Sequence, residues 1–179
     1  MLLQVATTPA QAQGTAEAQH SFPLQHFFCN TGYTQVQCAH EVTVLRIALG
    51  KYPASELGEW TWVLVRSEDW RLVLLARTLN PNIPALTDPA IRTTFFEEVL
   101  VAGDSGRLSD LMTVSHLGRE GLLDAAIRHE LGHALCRDAS EVNANSVAML
   151  LEQQKPISCK TKLKPVLDRN VSSPQPQPH

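Results

Sequence analysis

Residues 129–133 read His-Glu-Leu-Gly-His inside a stretch of helical apolar spacing, and this run constrains the fold more than any other feature of the chain. The segment 122–128 leads in with apolar residues one helical turn apart, and Ala134 and Leu135 continue the pattern. Positions i and i+4 of a helix share a face, so His129 and His133 can point two imidazole nitrogens at one tetrahedral Zn2+. Glu130 points to the side, off the metal, where it can act as general base toward the metal's water. Two surface histidines beside an unremarkable glutamate would produce the same letters. Gly132 argues against that reading, because an interior glycine weakens a helix by about 1 kcal/mol relative to alanine. Such a loss is expected where another backbone or a substrate must come close.

A catalytic zinc takes three protein ligands and leaves one position open. Glu141, eight residues after His133, is the best third candidate. It opens a second apparent helix over 141–151, and residues 136–140 are long enough to fold that helix back on the first. Asn145 lies one turn beyond Glu141 on the same face, where its side chain could orient a ligating histidine. Other readings stay open. Glu141 or its neighbours Asp138 and Ser140 could simply cap the helix start, where the helix dipole favours acidic residues. Asp138 is also within reach of a metal, and Cys136 shares the stripe of His129 and His133, although pairing with Cys159 accounts for it equally simply.

With these residues in view, His129-Glu130-x-x-His133 followed by Glu141-x-x-Ala144-Asn145 resembles the gluzincin metallopeptidases. It is similar both to the minimal single-domain members (minigluzincins) and to the group that cleaves repressors. The resemblance covers about residues 122–152. It implies zinc ligands at His129, His133 and Glu141, a catalytic base at Glu130, and a histidine-supporting role for Asn145. Two family features have no counterpart here: the helix-turn-helix partner of the repressor-cleaving group, and the transition-state tyrosine or histidine of larger gluzincins.

The chain has 179 residues and a net charge of −3, which suits one domain with a real core and argues against nucleic acid as a partner. No apolar run approaches the ~20 residues a membrane-spanning helix needs. Four cysteines without a Cys-x-x-Cys pair fit two disulfides better than a cysteine metal site. Cys29 and Cys38 bracket a short loop, and Cys136 and Cys159 bracket the helix of Glu141. The start of the chain reaches an Ala-x-Ala pattern at residues 10–12 without a full apolar core, so residues 1–20 read as a disordered leader or a signal-peptide remnant. Disulfides and leader together point to an exported protein, with the cytoplasm as the alternative.

Between these ends, residues 21–164 form the expected domain, and the proline-rich 165–179 a disordered tail. A helix is expected over about 34–49, with Val36, Ala39, Val42, Leu45 and Leu49 on one face and Gly50 and Pro53 closing it. Two strands, 62–65 and 70–75, read as a hairpin, 80–89 as a loop, and 95–101 as a third strand beside the metal helix or plainly in the core. Trp60, Trp62 and Trp70 are expected to pack internally, and His116 to lie at the surface or contact substrate. The expected fold is therefore α+β: a compact zincin-like single domain with a helix, a small three-stranded sheet, the metal helix and the glutamate helix. The expected function is that of a monomeric zinc metallopeptidase acting on peptide or protein substrates. A zinc-binding module without catalysis and a cytosolic repressor-directed protease are the alternatives.

Overall fold

In the computed structural model, residues 22–102 and 106–159 are described. The leader at 1–20, the tail at 165–179 and the margins of the 21–164 domain lie outside them. The described residues form an α+β domain with a four-stranded mixed sheet in the order β1-β2-β4-β3. Strands β1 (Gln25–Cys29), β2 (Trp60–Val65) and β4 (Thr93–Glu97) run parallel. Strand β3 (Ala85–Asp88) pairs antiparallel to β4 and forms an edge.

Helix α1 (Gln35–Leu49) begins and ends where the sequence places it. Thr34 and Gln37 form a reciprocal capping box, and Gly50 closes the last turn. Its buried face holds Leu45 and Leu49 as expected, but Val36 and Ala39 are exposed and Glu41 is buried instead.

The expected hairpin is absent. Residues Ser67–Ala76 form helix α2, not a strand. Trp70 and Leu74 stand at i and i+4 and are buried, whereas Leu72 and Leu75 face solvent, which is a helical period. Glu68 and Asp69, which fall between the two expected strands, lie in the first helical turn, where the dipole favours acidic side chains. Strand β1 and the helix α3 (Gly106–Ser115) were not anticipated, and β3 falls inside the segment expected to be a loop. Strand β4 stops at Glu97, and residues Glu98–Leu100 turn as a short 3-10 helix.

Two apolar layers hold the sheet. On one face Trp60, Trp62, Leu64 and Phe96 pack with Leu45 and Leu49 of α1 and with Ile127 and Leu131 of helix α4 (Arg119–Cys136). Val147 and Leu151 of helix α5 (Glu141–Glu152) complete that layer. On the other face Trp70 and Leu74 of α2 cover Val63, Phe95 and Leu86. All three tryptophans are buried, and each indole N–H is satisfied: Trp60 by Thr94 Oγ1, Trp62 by Gln25 Oε1 and Trp70 by the Ile83 carbonyl. Two disulfides, Cys29–Cys38 and Cys136–Cys159, pair all four cysteines as their spacing suggested.

Candidate metal centre

Helices α4 and α5 carry the site and share the largest contact between any two elements. They approach so closely because Gly132 has no side chain: a Cβ there would lie 2.6 Å from both Cα and O of Ala144. This close approach brings the first turn of α5 over the His129–His133 face of α4. Glu141 Oε2 lies 3.1 Å from His129 Nε2, and Oε1 lies 3.5 Å from His133 Nε2. The potential ligand atoms of all three residues fall within 4.8 Å of one another, so the group could hold a metal ion.

The orientation of each imidazole is fixed from its other nitrogen. His129 Nδ1 is 3.1 Å from Asn145 Oδ1, and His133 Nδ1 is 3.1 Å from the Asp138 carbonyl oxygen. An oxygen acceptor requires Nδ1 to donate, which leaves the Nε2 lone pair of each ring facing Glu141. Two lone pairs and a carboxylate thus converge on one point, an arrangement that repels itself unless a cation or proton lies between. A tetrahedral zinc with bonds of about 2.0–2.2 Å separates its donors by about 3.3–3.6 Å, close to the spacing found here. Burial and the neighbouring His133 lower the pKa of His129, more than Glu141 raises it, which favours the neutral ring that a metal needs. The chemistry of the donor set suits a metal ion.

Glu130 is 5% exposed, and its Oε2 is buried without a hydrogen bond. Burial pushes its pKa up to about 8, with Thr87 pulling the other way through hydrogen bonds and the charge of Glu141 adding to the rise. The residue that follows His129 in the chain thus carries a buried carboxylate oxygen without a hydrogen-bond partner. Thr87 Oγ1 also reaches the Glu130 backbone carbonyl at 3.4 Å, so β3 is tied to α4 at Glu130.

The other candidates from the sequence have partners elsewhere. Asp138 is not with the ligands: its Oδ1 accepts from the Ser140 N–H at 2.9 Å and its Oδ2 from Asn143 Nδ2 at 2.6 Å. Cys136 is committed to Cys159. Ser140 caps α5 by accepting from the Asn143 N–H, and Glu141 occupies the first turn, so capping and convergence on the histidines coexist. His116 is exposed, and no described contact joins it to the cluster. Of the two readings of segment 95–101, edge strand or core strand, the structure shows the second: β4 lies between β2 and β3, with Phe96 and Val99 buried. The edge beside α4 is β3. Sequence reasoning missed Thr87 and the Asp138 carbonyl, since no residue pattern announces a backbone acceptor or a threonine in a four-residue strand.

Comparison with protein-family models, with curated proteins and with solved structures finds no match to this chain.

Proposed function

We propose that this chain is a zinc-dependent metallopeptidase of the gluzincin type. The observation that carries the proposal is the convergence of His129 Nε2, His133 Nε2 and the Glu141 carboxylate beside the unpartnered, buried Glu130 oxygen. Zinc held there would polarise the scissile carbonyl and acidify the attacking water. Glu130 takes the proton of that water and returns it to the departing amine, a task suited to a carboxyl group held near neutral pKa by burial. The Glu141 side chain is 71% exposed, so the ligand cluster opens to solvent on its side. An extended peptide can add to the outer edge of β3, where main-chain hydrogen bonds give affinity with little demand on sequence. The Thr87 link then sets that edge and Glu130 in one register.

Two disulfides favour an oxidising, exported setting and speak against the cytosolic repressor-directed alternative. Among the described residues, no helix is long and apolar enough to cross a membrane.

Metal analysis of the purified protein should find one zinc per chain, and casein or a peptide library should be cleaved. Cleavage should stop with a chelator, and Glu130→Gln should lower it about 100- to 10,000-fold while retaining the metal. Zinc without cleavage would leave the non-catalytic binding module as the correct description. A protein without zinc would end the metal reading altogether.

A further inference from the structure

Four residues, 137–140, join the end of α4 to the start of α5, and Asp138 makes four hydrogen bonds in that corner. Its carbonyl oxygen accepts from His133 Nδ1 at 3.1 Å. Its carboxylate accepts from the Ser140 N–H at 2.9 Å and from the Asn143 side-chain amide at 2.6 Å. Its own N–H donates to the His133 carbonyl at 3.3 Å. Asp138 is 6% exposed, so these bonds work in a water-poor environment and hold firmly. One residue therefore contacts a ligand ring on α4 and, through Ser140 and Asn143, the turn of α5 that contains Glu141.

We infer that Asp138 is a positioning residue of the metal centre: it locks His133 in the Nδ1–H tautomer and sets the first turn of α5, so that His133 Nε2 and the Glu141 carboxylate meet. This rests on the metal-site reading above and adds to it a residue that never touches the metal. A carboxylate serving only as a ligand of last resort would face the cluster. This one faces the backbone and the Asn143 amide. The carboxylate's grip on Ser140 and Asn143 keeps the carbonyl of the same residue aimed at the ring, which couples the two halves of the site through one pair of backbone angles. The corner enters it through Arg137, whose φ of 50° lies in the left-handed region. That turn ends α4 and reverses the chain toward α5.

The test uses the full-length protein and zinc, with affinity measured by competition against a chromophoric chelator. Asp138→Asn preserves shape but turns a donor toward the Asn143 NH2 group, breaking the pair. It should weaken zinc binding about 10- to 100-fold, the usual effect of losing an outer partner of a ligand. Adding Asn143→Asp restores the hydrogen bond with donor and acceptor exchanged, and should return affinity to within about threefold of the parent. Nitrogen-15 NMR of the unaltered protein should find His133 protonated at Nδ1 with and without zinc, a result that does not depend on any variant folding. The inference falls if Asp138→Asn binds zinc within about twofold of the parent. It also falls if the exchanged pair is no tighter than the single variant, or if metal-free His133 carries its proton on Nε2. Failure of the parent protein itself to bind zinc would remove the metal site, a separate and visible outcome.

Discussion

Gly132 of α4 lies against the backbone of Ala144 in α5, with no room for even one methyl group between them. The contact falls between His129 and His133 on one helix and between Glu141 and Asn145 on the other, so it sets the distance across which the candidate ligands face each other. Gly132→Ala would gain about 1 kcal/mol of helix propensity. It would lose more by pushing backbone against backbone, where overpacking costs about 1–3 kcal/mol or above. The variant should melt at a lower temperature and bind zinc more weakly, even though alanine is the better helix former. Differential scanning calorimetry and a chelator titration read the two effects separately, and an unchanged zinc affinity would show that the helices need not be this close.

Substitutions in the candidate site should rank by how directly each side chain joins the His129–His133–Glu141 group. Glu141→Ala should weaken zinc binding about as much as His133→Ala. Asn145→Ala, which frees only the far nitrogen of His129, should weaken it by about 10- to 100-fold. If Asn145→Ala proves as damaging as Glu141→Ala, the amide does more than orient a ring.

The Cys136–Cys159 disulfide closes a loop that contains all of α5. Loop-closure entropy for its 23-residue separation corresponds to about 3 kcal/mol, against less for the shorter Cys29–Cys38 loop. Replacing both cysteines of the longer loop with serine should lower stability by about that amount, read from the urea midpoint. Zinc should recover part of the loss, because an ion that binds only the folded chain stabilises it.

Glu41 gives the fold a pH dependence away from the site. It is buried, and its Oε2 makes no hydrogen bond. Burial raises its pKa from the ordinary 4.5, with Glu98 adding to the rise and with Tyr33, His40 and Arg66 opposing it. A carboxyl whose folded pKa exceeds its unfolded value favours the fold fully only below the unfolded value. That contribution is lost as pH rises through the raised folded value. Glu41→Gln should therefore raise the melting temperature at pH 7 and change it little at pH 4. Equal gains at both pH values would mean that packing, not charge, is responsible.

The helix of His129 and His133 was readable because its ligands, apolar stripe and helical period all lie within one short segment, where 3.6 residues per turn fixes every direction. The helix that carries Glu141 and Asn145 was readable for the same reason, and Thr34, Gln37 and Gly50 announced both ends of α1. The apolar run 70–75 was not readable. Short apolar segments suit a strand or a helix equally, and only packing against Val63 and Phe95 makes Trp70 and Leu74 the buried pair.

Sequence alone determined which side chains could serve a metal and that four cysteines could form two disulfides, because those properties follow from residue chemistry and local spacing. Tertiary structure decided the rest. It made β3 and not β4 the edge beside α4, since strand order depends on contacts between segments far apart in the chain. It turned the Asp138 carboxylate toward Asn143 and its carbonyl toward His133, a choice made by backbone angles at a corner that no residue pattern encodes. It also placed Glu141 over both imidazoles, because the missing side chain of Gly132 lets two helices touch at the one level where their ligands can meet.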